Sequence, residues 1–479
     1  MKSNVLKIRR EVLIRMAQAF FENKLDEKID RIPLEMRPRN ESATRCCVYK
    51  DRAVLKYRIM AALGFAIEDE TDELTPLRDY LKTANEVKHE NNSHLTILTE
   101  ACSSCIQTHY QITNACRGCV ARPCTLNCPK NAVEFRNGKA EINPDLCVNC
   151  GKCMQVCPYQ AIIRIPIPCE EACPTGAITK DENGKESIDF EKCILCGKCL
   201  QACPFGAIAE RSQIIPVLKA LTGSTHTTAL IAPAAVGQFP GDFEQMHRAL
   251  LELGFDKMLE VALGADLTVQ AEAAEFAEKM EAGEKLMTTS CCPAYVNTIK
   301  RFHPELEKYV SDTPSPMIFA ARLAREKNPE TRTVFIGPCL AKRQEASQAN
   351  DVDFVLTFEE LGALFVAKGI DVAECEPLKW SDHACQAGRS FPMSGGVAGA
   401  IKSIIGDEIE LKPEIINGLD RRAIKQLKAT FLNRLEGNFV EVMACEGGCV
   451  AGPGVLTKSQ IASRKVMDFA KAGAELINI

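Results

Sequence analysis

With 479 residues, 46% of them hydrophobic, the chain can bury a large core and has the length of two or three domains. A net charge of −5 with no long basic run argues against nucleic acid as a partner, and no segment approaches the roughly 20 apolar residues of a membrane span. The 25 cysteines, against 7 histidines and 1 tryptophan, follow no recognisable signal peptide, so the expectation is a cytoplasmic protein that uses them for metal rather than for disulfides.

Residues 1–95 read as a helical N-terminal region. Apolar residues at Val12, Leu13, Met16, Ala17, Phe20 and Phe21 predict a helix from Ile8 to Phe21, and the same spacing predicts Val54 to Leu63 and Leu77 to Val87. A charged turn from Glu68 to Glu73 separates the last two. Arg9-Arg10 resembles a twin-arginine export signal, but no uninterrupted apolar stretch follows it. Cys46 and Cys47 are adjacent, a spacing that seldom converges on one metal, and they are expected to be free thiols.

Residues 96–212 hold sixteen cysteines whose spacing repeats. Cys116, Cys119, Cys124 and Cys128-Pro129 form one unit, and Cys147, Cys150, Cys153 and Cys157-Pro158 the next. A shortened unit, Cys169 and Cys173-Pro174, precedes Cys193, Cys196, Cys199 and Cys203-Pro204. Each ends in a similar tail: Asn131-Ala132-Val133, Gln160-Ala161-Ile162, Gly176-Ala177-Ile178 and Gly206-Ala207-Ile208. Four-cysteine sites with this spacing also bind zinc, but the Cys-Pro tails and the repeat favour iron–sulfur clusters. The pattern resembles a duplicated bacterial two-cluster ferredoxin, an α+β module in which each Cys-Pro thiolate reaches across to the neighbouring cluster. That resemblance implies one cubane on Cys116, Cys119, Cys124 and Cys157, and a second on Cys147, Cys150, Cys153 and Cys128. A third falls on Cys193, Cys196, Cys199 and Cys173. Cys169 and Cys203 then lack two partners, which Cys102-Ser-Ser-Cys105 supplies, so four accessory 4Fe–4S clusters are expected.

From 213 to 479 the pattern is α/β. Strands are predicted at Thr228 to Pro233, Lys257 to Val261, Lys285 to Thr288, Arg332 to Gly337 and Asp353 to Thr357, and the apolar run from Phe439 to Met443 reads as a buried strand. Helices are predicted at Phe243 to Leu253, Val269 to Met280 and Ala294 to Phe302. Three cysteine motifs each follow an apolar segment: Thr289-Ser290-Cys291-Cys292-Pro293, Gly337-Pro338-Cys339-Leu340-Ala341-Lys342 and Met443-Ala444-Cys445-Glu446-Gly447-Gly448-Cys449. In open α/β sheets the carboxyl ends of strands carry the ligand, so all three are placed to meet. Pro293 at a helix start leaves free amides near Cys292, which favours its thiolate.

These three motifs together resemble the catalytic domain of the iron-only (di-iron) hydrogenases. The resemblance implies a cubane on Cys292, Cys339, Cys445 and Cys449, with Cys449 bridging to a di-iron subcluster that carries carbon monoxide and cyanide. With the four accessory cubanes, this is about 22 irons per chain. The family's cyanide-contacting lysine falls on Lys342, with Glu345 completing Pro-Cys-x-x-Lys-x-x-Glu, and Met443 and Pro233 fall on cofactor contacts. Cys291, Glu272, Ser311 and Glu275 fall on the proton relay, and the two glutamates share a helical face. The implied activity is reversible interconversion of dihydrogen with protons and electrons, the electrons going to or from a ferredoxin-type carrier. Hydrogenase-like iron–sulfur assembly factors and hydrogen sensors are the alternatives, and retention of Cys291, Lys342 and Glu345 speaks against the former. Departures from the family pattern are Gly337 in place of methionine, which is expected to remove a side chain from the di-iron pocket, Tyr295 in place of tryptophan, and Gly452-Pro453-Gly454-Val455-Leu456 at the close. Cys375 and Cys385 receive no role.

Overall fold

The computed structural model describes residues 3–84, 93–105, 109–405, 409–431 and 436–474. The architecture is α/β, with a ferredoxin-like α+β region and a helical N-terminal region. Among the described residues no helix is long and apolar enough to cross a membrane.

The first helix runs Asn4–Phe21, earlier than its apolar period predicts, because Ser3 caps it by accepting the Val5 N–H at 3.2 Å. Val12, Leu13, Met16 and Ala17 are buried, as the period requires. The helix packs along Phe358–Lys368, and Arg9 and Arg10, the export-like pair, both bind the buried Glu359. The next long helix starts at Val48 rather than Val54, and a third covers Leu77–Thr83. The expected helix end at Val87 lies outside the described residues.

The cluster region is built from antiparallel two-stranded ribbons. Tyr110–Ile112 pairs with Ile162–Arg164, and Val133–Arg136 pairs with Lys139–Ile142. The same arrangement recurs with Leu95–Ile97 on Ile208–Glu210 and Ile178–Lys180 on Glu186–Ile188. The second unit is therefore discontinuous. It begins at Leu95, is interrupted by the whole of the first unit, and resumes at Pro168.

Beyond it lie two parallel sheets. One orders Lys257–Glu260, Thr227–Ile231, Arg332–Ile336 and Phe354–Leu356, and the other Met287–Thr288, Phe439–Met443 and Pro413–Asn417. The strand expected from Lys285 shortens to Met287–Thr288. The helix expected from Val269 instead spans Val261–Glu281. Val261, Ala262, Ala265 and Thr268 are all buried, so the first turns carry no polar face to mark the helical period.

Candidate metal centre

The carboxyl ends of these strands deliver the candidate residues. Thr227–Ile231 leads to Ala232 and Pro233, Lys257–Glu260 to Val261 and Ala265, Arg332–Ile336 to Pro338 and Cys339, and Phe439–Met443 to Cys449. Together with Cys291, Lys342, Phe335, Phe391 and Met443 they line a cavity whose space free of protein atoms, its open mouth included, is about 590 Å³. Its walls are apolar except for thiols and one ammonium.

Cys292 is the residue before helix Pro293–Phe302, with Pro293 at its first turn. Gly448, at φ 90°, lets the chain turn tightly; a Cβ there would lie 2.4 Å from Pro392 O. That turn swings Cys449 back to the cavity wall. Burial raises the Cys339 thiol to about 11, with Cys292 adding to it, and the Cys449 thiol to about 12, with Cys339 and Cys292 adding. Burial raises Cys445 well above its ordinary value, with Cys339, Cys449 and Cys292 contributing. Four thiols from three segments are thus within electrostatic reach of one another, and burial disfavours the thiolate at Cys339, Cys445 and Cys449. Such a set holds charge only around a cationic centre, and it fits a thiolate-ligated iron cluster beside a cavity for a bulky group.

Lys342, on helix Ala341–Ala349, points its ammonium at this cavity. Nζ lies 2.6 Å from Glu345 Oε2 and donates to Ser315 Oγ at 2.8 Å and to Cys291 O at 3.3 Å. Burial opposes its charge, but Glu345 and the nearby thiols outweigh it and its pKa is raised. Ser315 escaped the sequence reading, although Ser315-Pro316 is a recognisable helix start.

Glu272 is fully buried on the long helix, and burial raises its carboxyl to about 7. Its Oε1 accepts the Ser290 N–H at 3.2 Å, and its charge is felt by the Cys291 thiol, which burial pushes well above its ordinary value. Ser311 donates its hydroxyl to Glu275 Oε2 at 2.6 Å and acts to lower the Glu272 carboxyl against the larger effect of burial. Burial acts to raise Glu275, but Lys279, Ser311, Asp312 N and Thr313 outweigh it and the carboxyl is lowered. Thr313 and Lys279 carry no local spacing that marks them, and Ser290, although inside the Thr289–Pro293 motif, received no role from the sequence.

In the cluster region the four tails act alike. The N–H groups of Ala132, Ala161, Ala177 and Ala207 donate to the thiols of Cys128, Cys157, Cys173 and Cys203 at 3.2, 3.4, 3.2 and 3.4 Å. The residue before each alanine is left-handed: Asn131, Gln160, Gly176 and Gly206. Cys153 feels Cys147, Cys128 and Cys150, and Cys199 feels Cys196, Cys193 and Cys173. Cys169 feels Cys203 and Cys105, and Cys105 feels Cys102 and Cys203. Cys116, Cys124 and Cys157 border the apolar cluster of Tyr110 and Val133, and Cys119 lies in the same loop as Cys116. The loop of Cys196 abuts the segments that carry Cys339 and Cys449, since a Cβ at Gly197 would lie 2.6 Å from Pro453 Cβ and 3.1 Å from Leu340 Cδ1. Cys46 and Cys47 are exposed, with their sulfurs 4.0 Å apart, and Cys375 Sγ contacts Asp371 O at 3.4 Å. Cys385 donates its backbone N–H to Asp266 Oδ2 at 2.8 Å.

Residues 225–453 match the family described as iron only hydrogenase large subunit, C-terminal domain. Residues 168–207 match a 4Fe-4S dicluster domain and 139–162 a 4Fe-4S binding domain. The chain is 29% identical to Iron hydrogenase 1 of Clostridium pasteurianum, over 52% of this chain and 53% of that one. It is 27% identical to the NADP-reducing hydrogenase subunit HndD of Solidesulfovibrio fructosivorans, covering 64% and 56%. Identity to the cytosolic Fe-S cluster assembly factor NAR1 of Eremothecium gossypii is 24%, covering 40% and 57%. The chain thus spans little more than half the length of these relatives. Among solved structures, an apo [FeFe]-hydrogenase HydA1 variant of Chlamydomonas reinhardtii aligns with TM-score 0.42 and 22% identity, covering 56% of this chain and 89% of that one.

Proposed function

We propose that this FeFe-hydrogenase-like chain with 4Fe–4S domains interconverts dihydrogen with protons and electrons, and exchanges the electrons with a ferredoxin-type carrier. The observation that carries this reading is the meeting of Cys449, Cys339, Lys342 and Cys291 at one apolar cavity. Cys292, Cys339, Cys445 and Cys449 would hold the cubane, and Cys449 the di-iron unit that, when bound, supplies the centre for dihydrogen chemistry.

The chain's own residues supply the surroundings. Lys342, kept charged by Glu345, sets a positive group against the cavity where cyanide would lie, and Pro233 and Met443 keep water from its walls. Cys291 carries protons between the cavity and Glu272, whose carboxyl exchanges near neutrality. Ser311 hands the proton on to Glu275, which is half-buried and hydrogen-bonded to polar groups that lead outward.

The sixteen cysteines of residues 96–212 would hold the four accessory clusters assigned above, which would supply a path for electrons, and the loop of Cys196 lies against the segments of Cys339 and Cys449. The outer unit exposes Cys150 beside Val148 and Leu146 and carries Lys130 and Lys152, a surface that suits an acidic carrier.

Similarity to the assembly factor favours a second reading, in which the cubane is kept without the di-iron unit. A hydrogen sensor would use the same centre with slower turnover. The deciding experiment is infrared spectroscopy of protein matured in cells that make the di-iron cofactor, paired with hydrogen evolution from a reduced viologen. Bands of metal-bound carbon monoxide and cyanide with turnover support the hydrogenase. Filled cubanes without those bands leave the assembly-factor reading.

A further inference from the structure

Arg58, on helix Val48–Ala62, is 7% exposed and has no carboxylate partner among the described residues. A buried guanidinium without an anion is costly, so something negative should face it. Its Nη2 donates to Gly206 O at 2.6 Å, three residues past Cys203, whose thiol is the acidic group that acts on its charge. Burial, with Arg45 and Arg9, lowers its pKa to about 10, so it stays protonated at neutral pH.

The rest of the N-terminal region closes over the same place. Arg45 donates to Phe205 O at 3.0 Å, and a Cβ at Gly206 would lie 2.4 Å from Val5 Cγ1. Ser212 N donates to Ala61 O at 2.9 Å, and Arg211 Nε to Gly64 O at 2.8 Å. On the Cys102 side, Lys50 pairs with Glu100. The helices thus grip both chain segments that bear Cys102 and Cys203, whose thiols lie together with Cys105 and Cys169.

We propose that residues 3–84 form a lid over the cluster held by Cys102, Cys105, Cys169 and Cys203, and that Arg58 is the positioning residue that raises the reduction potential of that cluster. The inference rests on reading these four cysteines as one 4Fe–4S site. A cluster on four thiolates is anionic and becomes more so when it takes up an electron, so a buried cation at Cys203 stabilises the reduced form. The lid keeps water from screening that charge.

The test is a redox titration of the purified, cluster-loaded protein, poised with dithionite and mediators and followed by electron paramagnetic resonance. The double variant Cys102→Ala with Cys105→Ala identifies this cluster as the signal it removes. Arg58→Gln keeps a hydrogen-bond donor without charge, and Arg58→Lys keeps the charge. The expected result is unchanged iron in Arg58→Gln, with that one signal needing about tenfold more reducing conditions, about 59 mV for one electron. Arg58→Lys should titrate close to the wild type. An unshifted signal in Arg58→Gln, or equal loss of iron in both arginine variants, overturns the role of Arg58. A double-alanine variant that keeps every signal of the wild type overturns the four-cysteine site and the proposal with it.

Discussion

The ring of Phe335 occupies the space that a side chain at Gly337 would need. A Cβ at Gly337 would lie 2.5 Å from Phe335 Cε1 and 2.6 Å from Cζ, and Phe335 is part of the cavity wall. The expected loss of a side chain from the pocket is therefore offset from two residues away along the same strand end. Gly337→Met should destabilise the protein by about 1–3 kcal/mol through overpacking. Phe335→Ala alone should cost about 3–5 kcal/mol. The double variant should be more stable than the sum of these costs implies, and thermal unfolding of all four proteins measures that coupling. Strict additivity would mean that the two positions do not share the space.

Lys342 and Glu345 act as one unit beneath the cavity, 2.6 Å apart. Lys342→Met removes the cation and strands the carboxylate, at a cost of about 3 kcal/mol. The expected outcome is a protein that retains its cubane iron but lacks infrared bands of bound carbon monoxide and cyanide. Bands at wild-type intensity would detach Lys342 from the cofactor.

Adjacent cysteines are assigned opposite roles. Cys292→Ala should lose the active-site cubane and the infrared bands together. Cys291→Ser should keep iron and bands while losing nearly all turnover, because a hydroxyl is a far weaker acid than a thiol. Iron analysis, infrared spectra and hydrogen evolution on the same preparations separate the two. A Cys291→Ser protein without bands would make Cys291 a cofactor-binding residue instead.

Glu272 makes the protein pH-sensitive in a stated direction. Burial raises its carboxyl from 4.5 to about 7, so the folded state holds a proton that the unfolded chain has released over this interval. Its proton-linked stability is whole below the unfolded value and falls as pH rises through about 7, by about 3 kcal/mol in all. Glu272→Gln lacks that slope. The variant should match the wild type in melting temperature near pH 5, exceed it near pH 8, and lose turnover at both. Parallel melting curves for the two proteins across this range would place the Glu272 pKa at its ordinary value.

The short-range order of this protein was open to reading from its sequence. The repeated Cys-Pro tails announced a structure in which an alanine N–H four residues on meets each thiol, since both lie within one turn. Helix Phe243–Leu253 has its predicted bounds because Asp242 and Gln245 form a capping box at its start and Gly254 ends it. The strands before Cys339 and Cys445 were legible because each is an apolar run that stops at its motif. What only the tertiary structure decided depends on distant segments. The cysteine count suggested grouping Cys102 and Cys105 with Cys169 and Cys203, but the means of bringing these segments near one another, the pairing of Leu95–Ile97 with Ile208–Glu210 across an inserted unit, is encoded by no repeat period. Ser290, Ser315 and Phe335 acquire their places at the site from packing between strand ends and helix starts. Arg58 looks like one more polar residue in its helix until the fold buries it beside Cys203. Spacing along the chain specifies local turns, whereas the partner of a buried charge is specified only by what the folded chain brings to it.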